Sequence, residues 1–174
     1  MKPKILLPVL IILFVAYLGY HTIGGQDTVS VERVKLAIEH EMAGINNLNI
    51  HQIQQFRGNL LVLYSYDLGD GHYMACRHLD KNYRLSGGSG PTRVDKRQPI
   101  SITSFGAEPE HYIISYGEIY EKKISTIELE YNNGEKKVVA PRNGAFLVAS
   151  DNSINGLLNI KAFNSQGEVL YHLP

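Results

Sequence analysis

The chain has a single cysteine, Cys76, and so no internal disulfide. Its fold must be held by a core alone, which argues against the small disulfide scaffolds of secreted eukaryotic modules and for a bacterial surface. Neither charge is in excess: 17 basic residues balance 17 acidic ones, so no global field points to nucleic acid. Tryptophan is absent, which decides nothing by itself. Catalytic signatures are missing as well, with no G-x-S-x-G, no S-x-x-K and no H-E-x-x-H anywhere in the chain. At 44% hydrophobic and 20% charged residues, what remains is the composition of an ordinary folded domain, not of a disordered one.

Charge is also missing from one long stretch. Residues 5–20 (ILLPVLIILFVAYLGY) hold no charged residue, and Lys2 and Lys4 stand just before them. As a helix the run spans roughly 24 Å, or about 31 Å if continued through residue 25. A hydrocarbon core is roughly 30 Å thick. The reading is a transmembrane signal-anchor over residues 1–25, with the lysines inside and the rest of the chain outside. A cleavable signal peptide shares the basic start, but Thr22-Ile23-Gly24 is a poor cleavage window. Either reading exports residues 26–174. The expected localisation is the cell membrane, single-pass, with an extracytoplasmic domain.

Beyond residue 25 the pattern is α+β and mainly β. Ser30 can cap a helix whose apolar stripe is Val31, Val34, Ile38, Met42 and Ile45. From Leu48 the period changes to two. Strands are expected over 48–56, 60–66 and 72–79, with a short one near 83–85, making one helix with an antiparallel meander over residues 26–91. The glycine-serine segment 86–90 is a soft boundary. Residues 92–174 then carry strands over 100–105, 112–116, 124–131, 136–140, 145–149, 157–163 and 169–173. Asn132-Asn133-Gly134, Arg142-Asn143-Gly144 and Ser165-Gln166-Gly167 supply turns between them. Their spacing predicts a β-rich small sandwich or open barrel, in one domain with the first half or in a second.

The C-terminal half carries a "G-x-I" segment at Gly117-Glu118-Ile119 and the run Ile124-Ser125-Thr126-Ile127-Glu128-Leu129 before the Asn133-Gly134 turn. It closes on the hairpin Ile160-Lys161-Ala162-Phe163-Asn164-Ser165-Gln166-Gly167-Glu168-Val169-Leu170-Tyr171. Over roughly residues 110–172 it resembles uncharacterised membrane-anchored extracytoplasmic β-domain proteins of Gram-positive bacteria. The resemblance implies a location and a β-rich fold, and no activity.

Two stretches could carry chemistry. On a strand, His72, Met74, Cys76 and His78 share one face, and those are ligands suited to copper or zinc. Neighbours on that face lie about 6.8 Å apart, so one metal could take only an adjacent pair. A half-buried strand with Met74 and Cys76 in the core is the simpler reading. The second stretch is a local charge bias. Between Arg77 and Arg97 six basic residues face only Asp80 and Asp95. Arg84, Arg93, Lys96 and Arg97 are the candidate binding residues there, for an anionic wall polymer or lipid headgroups.

The function expected on these grounds is a non-enzymatic, membrane-tethered binding module of the bacterial cell envelope. Its partner would be a protein, or else an anionic polymer or lipid, with no cofactor and no metal. The alternative is an extracytoplasmic enzyme, a hydrolase or a thiol- or metal-dependent one, centred on Cys76 and a nearby histidine.

Overall fold

The computed structural model describes residues 29–107, 111–150 and 156–174. Its one described helix, α1 (Val31–Glu41), is amphipathic and buries Val34 and Ile38. The apolar stripe read from the sequence is wider than the buried one, and Val31 is half exposed.

Residues 32–174 form one compact unit. Its described residues form three antiparallel sheets. The first has the order β1 (Asn46–Phe56), β2 (Asn59–Leu68), β3 (Gly71–Leu79) and β4 (Leu85–Gly88), with the two-residue β5 (Thr92–Arg93) also pairing with β3. The second places β7 (Tyr112–Ile119) between β6 (Ile100–Ala107) and β10 (Ala145–Ser150). The third has the order β12 (Val169–Leu173), β11 (Leu157–Phe163), β8 (Thr126–Tyr131) and β9 (Lys136–Val139).

The second sheet is the middle layer. Alternation along β7 sends Ile114 and Tyr116 into one core with Leu61, Leu63, Met74 and Cys76 of the first sheet. Ile113 and Ile119 go the other way, into a core with Ile127, Leu129 and Tyr131 of the third. A strand wet on neither face needs no polar alternation, which is why Tyr112-Ile113-Ile114-Ser115-Tyr116 reads as an almost continuous apolar run. Gly117 lies where such close layering leaves no room. A Cβ there would run into the Ser101 carbonyl oxygen and the Phe146 ring. The outer face of the first sheet buries Val62, Tyr64 and Tyr66, with the Tyr64 hydroxyl donating to the Met42 sulfur at 3.4 Å.

Several expectations are corrected here. The small sandwich or open barrel of residues 92–174 is replaced by two open sheets, one of which is sandwiched by the other and by the meander of the first half. Among the described residues no helix is long and apolar enough to cross a membrane. The 11-residue α1 spans only about 16 Å. The run at residues 5–20 lies outside the described residues. The leading transmembrane helix, the single-pass cell-membrane localisation and the tethered envelope module with the membrane as partner are therefore not carried forward.

Candidate functional site

Cys76 and the histidines around it are separated by the fold. Cys76 is fully buried in the first core, and burial pushes its thiol well up, away from the reactive thiolate. Its strand neighbour His78 sits among the rings of Phe56, Phe105 and Tyr112. Among the described residues no group of three or more His, Cys, Asp or Glu side chains could hold a metal ion. The enzyme centred on Cys76 and a nearby histidine is thus overturned, because the only thiol is packed as a small hydrophobe.

His72, at the far end of the same strand, has different surroundings. Its Nδ1 lies 2.6 Å from Asp67 Oδ1, and its Nε2 lies 3.0 Å from Glu118 Oε2. Asp67 is its cross-strand partner in the β2–β3 ladder. Glu118 comes from the middle sheet and is almost completely buried. Hydrogen bonds from Asn47 (2.7 Å) and then from His72 hold the Asp67 carboxyl below its ordinary range.

Glu118 is the hub. Burial alone would raise its carboxyl, but hydrogen bonds from His51, Tyr120 and Ser65 outweigh that and bring it down to about 2. His51 Nε2 lies 2.8 Å from Glu118 Oε1, and Ser65 Oγ lies 2.8 Å from the same nitrogen. The Tyr120 hydroxyl donates to Oε2. With His72, four side chains from four parts of the chain converge on one carboxylate, which has about four lone-pair sites to offer. Burial and the adjacent carboxylate push the Tyr120 phenol upward, so it remains a donor.

His51 reaches this point because β1 is irregular. The register runs from Ile50 opposite Tyr64 to Gln52 opposite Leu63, leaving His51 at a bulge. A bulge re-aims a side chain, and here it points a histidine inward. The other ring nitrogen, Nδ1, lies 3.1 Å from the Asn143 carbonyl oxygen, and the Asn143 amide donates back to the His51 carbonyl at 3.2 Å. Asn143 has φ 52°, a left-handed conformation that asparagine adopts more readily than most residues.

At its outer end the network opens into a cleft of about 770 Å³ lined by residues 67, 69–72 and 93–97. One wall is the β2–β3 tip, Gly69 and Asp70. The other is the chain leaving β5, anchored by the Val94 N–H donating to the His72 carbonyl at 2.9 Å. Three of the four candidate binding residues meet here: Arg93, Lys96 and Arg97. Arg84 does not. It lies in the turn after β3, its backbone N–H bonded to Asp80.

Arg97 is engaged within the cleft, with Nη2 2.7 Å from Asp95 Oδ2 and Nε 2.8 Å from Oδ1. That fork brings the Asp95 carboxyl to about 2. Arg93 meets Asp70 at 3.7 Å, a loose pair whose side chains are 64% and 96% exposed. Lys96 makes no ion pair within 4 Å of a described carboxylate, though its charge helps lower the Asp67 carboxyl.

Sequence reading found the basic wall and missed the carboxylate hub. A signal was present, because Glu118 falls in phase with Ile114 and Tyr116 on an otherwise apolar strand. A charged residue at a core position needs partners. No family model, curated protein or solved structure matches this chain.

Proposed function

We propose that the domain binds a small anionic ligand, bearing a carboxylate or phosphate-like group, in the cleft between the β2–β3 tip and the segment 93–97. The carrying observation is that Arg93, Lys96, Arg97 and His72 line one cleft with Asp67, Asp70 and Asp95, and that Lys96, close enough to help lower the Asp67 carboxyl, forms no ion pair within 4 Å among the described residues. The arginine pairs do not block such a ligand. An exposed pair such as Arg93 with Asp70 is worth about 0–1 kcal/mol, so exchanging Asp70 for a ligand anion costs little.

Catalysis by His72 is disfavoured on geometry. Both of its ring nitrogens face carboxylate oxygens, which leaves neither free to take a proton from a ligand. Its part is to tie Asp67 at the edge of the cleft to the buried Glu118.

The test is a titration of the full chain with sulfate and with citrate, followed by amide NMR shifts. Saturable movement confined to residues 69–72 and 93–97, with a Kd near or below about 1 mM, supports the proposal. Replacing Lys96 by glutamine should weaken binding about fivefold, the effect of losing about 1 kcal/mol of Coulomb attraction at 4 Å in water. Shifts that are spread over the surface and never saturate would sink it.

A further inference from the structure

Asp67, His72, Glu118 and His51 stand in one row with acid and base alternating, at 2.6, 3.0 and 2.8 Å. The outer end is open, with the Asp67 side chain 35% and the His72 side chain 18% exposed. The inner end, His51 and Glu118, is shut between the first and middle sheets. A carboxylate oxygen can only accept, so His72 satisfies both neighbours only by donating from both nitrogens, as the imidazolium does.

From this geometry we infer that the row is a proton-linked strut, in which the proton on His72 holds the β2–β3 tip in place and thereby sets the shape of the cleft. The inference rests on the cleft being the binding site only for its effect on ligand. When pH rises through the titration of His72, the Nδ1 proton leaves to solvent through the cleft. The Nε2–H remains on Glu118, and the Nδ1 lone pair is left facing Asp67 Oδ1. An attraction across the ladder becomes a repulsion between two electron-rich atoms. Asp67 is one residue from the end of β2, and His72 one residue into β3. The turn between them, Gly69-Asp70, is exposed and braced only by the loose Arg93–Asp70 pair among the described side chains.

The charged and titratable groups facing His72 are few. Asp67 comes from β2 and Glu118 from β7, and behind Glu118 stand His51 of β1 and Tyr120 after β7. Across the cleft, Arg93, Lys96 and Arg97 are exposed, and Asp70 and Asp95 partner the two arginines. His72 is the one member of the row that has a ring proton, two carboxylate neighbours and an opening to water.

The experiment uses the full chain without ligand. Histidine ring NMR follows the His72 nitrogens across pH 5 to 8 while amide shifts follow Gly69, Asp70 and Gly71. The expected result is a single midpoint shared by the His72 ring and the tip, and a tip indifferent to pH in His72→Gln. A His72 ring that titrates while the tip stays still, or a ring neutral throughout, overturns the strut.

A second arm adds sulfate, whose charge is constant over this range. Its affinity should fall at least about fivefold above the same midpoint, through lost charge. If sulfate fails to bind while the tip still follows His72, the strut stands and the binding reading falls. If sulfate binds with the tip unlinked to His72, the reverse holds.

Discussion

The two cores of this domain share a sheet and differ in what that sheet presents to each. Toward the third sheet, β7 and β10 offer Ile113, Ile119, Phe146 and Val148, interrupted among the described residues by the buried Ser115 and Ser150. Both present hydroxyls: Ser115 lies 2.9 Å from Ser104 and accepts from Tyr131 at 3.2 Å, and Ser150 donates to the half-buried Glu135 carboxylate at 2.7 Å. Toward the first sheet the same strands offer Ile114, Tyr116 and Leu147, but end in a buried carboxylate with two histidines. Neutral hydroxyl pairs are an inexpensive way to fill a core. A buried ionised carboxylate costs several kcal/mol to desolvate and is tolerated only where every lone pair is met. The face bearing that cost is the one continuous with the cleft, and this is why we place function there and only packing on the other side.

The largest expected effect sharpens the contrast from its apolar side. Phe146→Ala empties the second core beside Gly117 and should cost about 3–5 kcal/mol in urea unfolding, by the same amount at every pH. Glu118→Gln removes the hub's charge while keeping its size, and should cost about 3 kcal/mol near neutral pH, toward the lower end for breaking a buried pair. Its cost must depend on pH. Glu118 is held at about 2 against an ordinary 4.5, so its contribution is fully present above about 4.5 and is lost as pH falls toward 2. Unfolding curves of the parent and Glu118→Gln should therefore converge in acid. Parallel curves down to pH 2 would show that the carboxylate does not carry the difference.

Smaller effects test the packing between the layers. Gly117→Ala drives a methyl into the Ser101 carbonyl and the Phe146 ring, and should cost about 1–3 kcal/mol by thermal or urea unfolding. Cys76 should be unreactive toward a thiol reagent in the folded chain and be modified at the rate of unfolding, since its thiol is buried and held protonated. Fast labelling under native conditions would break the assignment of Cys76 to the core. At the bottom of the scale, Lys96→Gln should change stability by less than about 0.5 kcal/mol, because the side chain is exposed and reaches Asp67 only through a minor charge interaction. Any effect it has should appear in anion binding alone.

Much of the β architecture is readable from local chemistry. The Asn133-Gly134, Asn143-Gly144 and Gln166-Gly167 turns have their glycines at positive φ, as hairpin chemistry requires. The meander of β1, β2 and β3 follows from alternation and two turns. Layering does not follow, because a period of two assigns a residue to a face without saying which sheet that face meets. The run from Tyr112 to Tyr116 is buried on both sides because β2 and β3, made earlier, cover one face while β8 and β11, made later, cover the other. The basic wall was visible as a charge bias within 21 residues of sequence, whereas the hub joins positions as far apart as His51 and Asn143. Its entry point, a bulge at residue 51, leaves no mark that alternation could reveal.

The position of β10 within the middle sheet has a consequence for how the chain acquires this structure during synthesis. β6 and β7 can pair as soon as residue 119 is made, but the other side of β7 stays open until Ala145–Ser150 arrives, after β8 and β9 have formed. Through that interval β7 presents a bare apolar edge, and Asn143, the outer brace of His51, does not yet exist. Pairings between distant parts of a chain slow folding, into the range of about milliseconds to seconds for β-rich domains. A nascent chain stopped near residue 140 should therefore hold the first meander while exposing a strand edge open to pairing with a second chain. The last assembled strand of the middle layer is thus also the one that shields the protein from its own copies.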